Sequence, residues 1–195
     1  YSKPRVDPIN YSSTAINFEH GWPAAWYNEI DLEELNKIYL LTCKYSDEIY
    51  KRAGELEQQV LGLPVIMYRG NDKLQDVLRT PYEAMYEMAL ESGFTKFYVQ
   101  TDEDDFCDYI KTKFDVVTLD VLPRIRKDFN AYVMPQKGGR IDFVMNYLAA
   151  TLVISSAPAI IATTGNTSFH PVLLRGTTNG VWCHRGDLKQ CKKLF

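Results

Sequence analysis

The spacing of apolar residues changes near Gly62 and divides the chain into a helical opening and an alternating remainder. Between Asp31 and Cys43, Leu32, Leu35, Ile38, Tyr39 and Leu41 recur at helical spacing, and Ser46 opens a second helical stretch that runs to about Leu61. Gly62 and Pro64 end this stretch and hand over to a strand, Val65-Ile-Met-Tyr68. The first ~25 residues are rich in Pro, Asn, Ser and aromatic side chains without a sustained period, and read as an irregular arm.

Beyond Val65, strand-like and helix-like segments alternate. Thr80-Pro-Tyr-Glu83 reads as a helix start with Thr80 as N-cap, Pro81 at the first helical position and Glu83 reaching back in a capping box. Ala84, Met85, Met88 and Ala89 supply its buried stripe, and Gly93 its stop. Lys96-Phe-Tyr-Val-Gln100 is the next strand, followed by the acidic turn Thr101–Asp105 and a helix carrying Phe106, Ile110 and Phe114. Val116–Leu119 reads as a third strand, Ile141–Ser155 as a helix, Ala159–Thr163 as a fourth strand and Thr167–Leu174 as the helix after it.

This alternation predicts an α/β fold: βαβ units joined by right-handed crossovers into a Rossmann-like parallel sheet flanked by helices. Residues 1–62 are expected to form the arm and helical segment, and residues 63–195 the Rossmann-like domain. Ligands of such sheets bind beyond the carboxyl ends of the strands. The loops expected to carry function are therefore Arg69–Lys73, Thr101–Asp105 and Thr163–Ser168.

Composition narrows the function classes. At 46% hydrophobic and 24% charged content over 195 residues, the chain can bury one sizeable core. No apolar run approaches the ~20 residues that a membrane-spanning helix needs. A net charge of −3, with 22 basic residues dispersed among 25 acidic ones, argues against a general nucleic-acid binder. Cys43, Cys107, Cys183 and Cys191 are too dispersed for a disulfide scaffold, and Cys183, His184 and Cys191 match no strong metal-site spacing. The sequons Asn10-Tyr-Ser12 and Asn166-Thr-Ser168 do not decide compartment, which stays open between the secretory-pathway lumen and the cytoplasm. The opening Tyr1-Ser-Lys-Pro-Arg5 has neither an initiator methionine nor a signal pattern, and reads as the start of a processed product or of an excerpt from a longer polypeptide.

Three loops offer chemistry. In Ala159-Ile-Ile-Ala-Thr-Thr-Gly-Asn-Thr-Ser-Phe169 an apolar run, a small polar turn and a helix start follow one another. Amide groups at a helix start lack intrahelical partners and sit at the positive end of the dipole, which suits a phosphate; the same pattern also serves any α/β protein that reverses direction. Arg69 ends the Val65–Tyr68 strand beside Gly70, offering a planar guanidinium where backbone can approach closely; pairing with Asp72, Asp102 or Asp105 is the alternative. Thr101-Asp-Glu-Asp-Asp105 fits helix capping, a metal-free supporting role, or a D-x-D site in which Asp102 and Asp104 hold Mn²⁺ or Mg²⁺. Asp142 is either a cap or an acceptor for a guanine edge, and His170 either a packing residue or a catalytic one.

On these residues the chain resembles the nucleotide-sugar-binding half of the GDP-fucose-dependent fucosyltransferases, the family of the α-1,6 core and nodulation enzymes and, more distantly, the protein O-fucosyltransferases. Tyr68-Arg-Gly-Asn-Asp-Lys73 is similar to the family's strand ending in H-V-R-R-x-D-K, Tyr98-Val-Gln-Thr-Asp-Glu103 to its motif ending in T-D-D, and Ala159–Phe169 to its strand followed by a Ser/Thr-rich turn. The likeness spans roughly residues 60 to 180, in order. It implies the donor-binding, C-terminal region of a GT-B glycosyltransferase, and inverting transfer of fucose from GDP-fucose to a hydroxyl of a glycan, protein or lipid acceptor without a metal or other cofactor. By position it implies Arg69 and Gly70 at the diphosphate, Asp142 at guanine, Gly165, Asn166, Thr167 and Ser168 around the phosphate, Asp102 in support and Asp76 as candidate base. Met67 stands where the family motif has histidine and Gly70 where it has a second arginine, which leaves room for another GDP- or UDP-sugar, or for a domain that binds without turnover. The resemblance also implies an N-terminal partner domain, for which residues 1–62 are too few.

Overall fold

A computed structural model describes residues 31–70, 80–119, 139–163, 166–184 and 192–193. Helix α1 (Leu32–Thr42) starts at Asp31, whose Oδ1 accepts the Glu34 amide at 2.9 Å and so satisfies one of the donors that every helix start leaves over. Helix α2 (Asp47–Val60) follows Ser46 and buries Ile49, Ala53, Leu56 and Val60 along one face. Strand β1 (Val65–Tyr68) leads to α3 (Tyr82–Glu91), and β2 (Lys96–Thr101) to α4 (Asp104–Lys111). After β3 (Asp115–Val117) come α5 (Gly139–Ser155), β4 (Ile160–Thr163), α6 (Asn166–Arg175), β5 (Val181–His184) and the two-residue β6 (Lys192–Lys193).

The sheet order is β3-β2-β1-β4-β5-β6. The first five strands are all parallel, and β6 is antiparallel on the β5 edge. This is the α/β, Rossmann-like architecture expected from the alternation of segments. In β1 and β4 every residue is buried, as in a parallel strand covered on both faces. Alternate side chains serve the two faces. Val65, Met67, Ile160 and Ala162 meet α1, α2, α5 and α6, whereas Ile66, Tyr68, Val99 and Ile161 meet α3 and α4. The first of these cores crosses residue 62: Leu32, Ile49, Leu56 and Val60 of the opening helices pack in the same cluster as the sheet.

Two local expectations are corrected, and one strand is added. No capping box forms at α3: Pro81, in extended conformation, is the N-cap, without a side-chain cap bond. Thr80 is buried, and its carbonyl accepts the Tyr68 hydroxyl at 3.0 Å, which ties the residue to β1 and starts the helix one residue later. Helix α4 ends before Phe114, yet Phe114 still packs edge-on against Phe97, with ring centroids 4.8 Å apart. Strand β5, unforeseen from its short Val-Trp-Cys-His run, extends the sheet beside β4. Gly93, with φ +78°, ends α3 as expected.

Candidate functional site

The strand order has a topological switch point between β1 and β4. From β1 the chain crosses to β2 on one side, and from β4 to β5 on the other, so the connections diverge between the carboxyl ends of β1 and β4. Such a switch point is where open parallel sheets leave room for a ligand. Met67 pairs with Ala162, which sets Tyr68-Arg69-Gly70 beside Thr163 and the approach to α6. Arg69-Gly70 and Thr163, the described starts of two of the three polar loops singled out in the sequence, thus flank the switch point, and β2, paired with β1 through Tyr68 and Thr101, brings the third alongside; residues 71–73 and 164–165 lie outside the described residues.

On the β1 side the loops are bonded together. The Gly70 amide donates to Asp102 Oδ1 at 3.0 Å, so the Asp102 carboxylate is turned to the neighbouring loop. Glu103, the N-cap position of α4, is fully buried, and its own amide donates to Thr101 Oγ1 at 3.1 Å. Its carboxylate lies against Gly70: a Cβ on Gly70 would stand 2.2 Å from Glu103 Oε2 and 2.7 Å from Tyr68 Cε1. Tyr68 has little room to yield, being stacked on Phe106 with ring centroids 4.1 Å apart. Glycine at position 70 is therefore required by close approach, with the Glu103 carboxylate beside it. Arg69 is half-buried at the strand end. Asp104 and Asp105 occupy the first turn of α4, where the dipole favours acids.

On the β4 side, α6 begins at Asn166, and the amides of its first turn have no partner within the helix. Ser168 is buried and its hydroxyl donates to Thr163 O at 2.5 Å. That hydroxyl has one proton and has spent it on the strand, so toward an anion Ser168 offers its backbone N–H. Thr167 is half-buried beside it. Pro171 lies inside the helix, in its second turn.

Asp142, in the first turn of α5, is bonded to a different helix. Its Oδ1 accepts from Arg52 Nη2 at 2.9 Å, while Arg52 Nη1 donates to Asn146 Oδ1 at 2.8 Å and Nε to Glu48 Oε1 at 2.9 Å. These bonds pin α2 to α5 and raise the Arg52 pKa through its Glu48 and Asp142 partners. His170 forms a separate cluster with Tyr39 and Tyr45. Burial pushes its imidazole below the ordinary value, and burial together with the Tyr39 hydroxyl raises the Tyr45 phenol. Near neutral pH both side chains are therefore uncharged.

Sequence reasoning passed over Glu103, Arg52, Tyr39 and Tyr45. Glu103 lay within a motif whose neighbour Asp102 drew the attention, and only its burial against Gly70 distinguishes it. The others meet partners 90 to 131 residues away, which no local pattern marks. Asp76 and Gly165 lie outside the described residues, and for Asn166 only the backbone is described. Among the described residues, no three His, Cys, Asp or Glu side chains converge as a metal site, and no helix is long and apolar enough to cross a membrane.

Fold and site together define a Rossmann-like α/β domain in which Arg69-Gly70, Thr163 and the start of α6 stand at a switch point. No protein-family model matches the chain, and no curated protein matches it.

Proposed function

We propose that this domain is the donor-binding region of a fucosyltransferase-like glycosyltransferase, transferring fucose from GDP-fucose to an acceptor hydroxyl with inversion. The observation that carries the reading is the convergence of the first and third motif-like loops on the β1–β4 switch point, with the second bonded to the first through Gly70 and Asp102. In this reading the acceptor hydroxyl attacks the anomeric carbon from the face opposite the diphosphate. A carboxylate, for which Asp76 is the candidate, takes the proton. Arg69 and the first-turn amides of α6 stabilise the charge that builds on the departing diphosphate.

Calorimetry with GDP, GDP-fucose and UDP, each with Mn²⁺ and with EDTA, tests this directly. Selective GDP binding that ignores chelation is expected, and Arg69→Ala should weaken it by roughly tenfold to a hundredfold, the loss of a charge-assisted contact, without unfolding the domain. An unchanged affinity in Arg69→Ala refutes the role of Arg69. UDP binding that requires Mn²⁺ replaces the proposal with a metal-dependent transferase using Asp102 and Asp104.

One observation favours a second reading, a nucleotide-sugar-binding domain without turnover. Gly70 stands where the family motif has a second arginine, and the Glu103 carboxylate lies beside it, which together lower the positive charge available to a leaving diphosphate. Donor binding with no transfer or hydrolysis, even alongside a complete acceptor domain, would decide for it.

A further inference from the structure

Helix α1 is bonded to α6 at two levels. Asn36 Nδ2 donates to Leu173 O at 2.7 Å and to Leu174 O at 3.2 Å, carbonyls of the last turn of α6. One turn further along α1, the Tyr39 hydroxyl lies 2.7 Å from His170 Nε2. The Tyr45 hydroxyl, from the loop after α1, lies 3.0 Å from the same nitrogen and 2.7 Å from the Tyr39 hydroxyl. As α1 proceeds from Asn36 to Tyr39 its partners on α6 recede from Leu173 to His170, so the two helices run in opposite senses. The α1–α2 loop thereby reaches the end of the sheet where α6 starts.

Proton counting within this triangle selects one form of the ring. With Nε2 unprotonated, one phenol donates to the nitrogen and the other to its neighbour's oxygen, so every proton in the cluster has an acceptor. With Nε2 protonated, three protons face two oxygens, and one phenol is left without an acceptor inside the cluster. Among the described residues no group hydrogen-bonds Nδ1. His170 is the fifth residue of α6, one turn from the helix start, and helical side chains lean toward the N-terminus.

We propose that Tyr39 and Tyr45 fix His170 as the neutral Nδ1–H tautomer, and that this N–H donates a hydrogen bond to a diphosphate oxygen of the nucleotide sugar bound between β1 and β4. The donor role rests on the nucleotide-sugar reading above; the tautomer stands on the geometry of the cluster. The tyrosines are positioning residues, acting through the ring they hold. Burial, which keeps the imidazole neutral, supports the same arrangement.

The test joins a spectroscopic signature to an affinity. Long-range ¹H–¹⁵N spectra of the imidazoles resolve tautomers, and the chain has only His20, His170 and His184 to assign, with His170→Gln identifying the signal. Protonated Nδ1 with unprotonated Nε2 is expected in the unaltered chain, with an Nδ1 shift when GDP is added. Tyr39→Phe/Tyr45→Phe keeps both rings but should lose the tautomer preference and weaken GDP binding about tenfold, as should His170→Gln, which keeps a polar group near Nε2 and none at Nδ1. If the double variant does not fold, His170→Gln carries the affinity comparison, because in Tyr45→Phe alone Tyr39 still donates to Nε2 and keeps the tautomer. Protonated Nε2 in the unaltered chain, or GDP affinity equal in all variants while the unaltered chain binds, overturns the proposal. An unaltered chain that shows the Nδ1–H tautomer but binds neither GDP nor GDP-fucose overturns the nucleotide-sugar reading and the donor role, and leaves the tautomer assignment standing.

Discussion

Gly70→Ala is the smallest change that tests how the β1 end is built. The added methyl would stand 2.2 Å from Glu103 Oε2 and 2.7 Å from Tyr68 Cε1, both far inside van der Waals contact. The carboxylate sits at the end of a flexible side chain, but Glu103 is fully buried, and Tyr68 is held by its stack on Phe106 and its bond to Thr80 O. If side chains yield, overpacking of this kind costs about 1–3 kcal/mol. If instead the backbone withdraws, the 3.0 Å bond from the Gly70 amide to Asp102 is lost, and a hydrogen bond to a charged group is worth about 1.5–3 kcal/mol. Either route leads to a destabilisation of about 1–3 kcal/mol, which for a chain of this size is a fall in Tm of roughly 2–12 °C. Urea denaturation measures it. Glu103→Ala in the same background should return about 1 kcal/mol or more as coupling in a double-mutant cycle, with the remainder belonging to Tyr68. A Gly70→Ala cost below about 0.5 kcal/mol, or coupling indistinguishable from zero, would refute the claim that Glu103 occupies the space beside Gly70.

Two further outcomes follow from the β4 side. Ser168→Ala should cost about 1 kcal/mol in urea denaturation through the lost bond to Thr163 O, yet leave GDP affinity within about twofold, because the backbone N–H is unaltered; a large affinity loss would show that the hydroxyl itself meets the ligand. His170, whose folded pKa is lowered by burial, binds fewer protons folded than unfolded. Its contribution is therefore present above the unfolded value of about 6.5 and lost as pH falls below it. The stability of the unaltered chain should drop relative to His170→Gln between about pH 7.5 and about pH 5, measured by urea midpoints, and parallel profiles would contradict the burial argument.

How far the fold could be read from the sequence differed with the range of the forces involved. Val65–Tyr68 and Ile160–Thr163 were recognisable because a strand covered on both faces must be apolar throughout, and Gly62, Pro64 and the polar turn after Thr163 bound them. Gly93 was readable because a helix end leaves orphan groups that only a few residue types satisfy. Thr80 misled for the opposite reason: its local pattern fits a cap, but a tyrosine twelve residues earlier claims its carbonyl. Arg52 with Asp142 and Tyr39 with His170 belong wholly to tertiary packing and leave no periodic trace.

The candidate site falls between these cases. Each loop could be marked as a polar stretch after an apolar strand, but whether the loops meet depends on strand order, which periodicity does not contain. A sheet ordered β1-β2-β3-β4 would also satisfy the alternation, and would put two strands between Arg69 and Thr167. The observed order places β1 directly against β4, so the cation at one strand end and the helix-start amides at the other can address the same group. Asp102 then gains a reason to be acidic that owes nothing to a metal: it holds the Gly70 amide, and with it the turn that carries Arg69. Asp102→Asn keeps an oxygen for that amide whereas Asp102→Ala removes it, so a support role requires the alanine variant to lose more Arg69-dependent GDP affinity than the asparagine variant does.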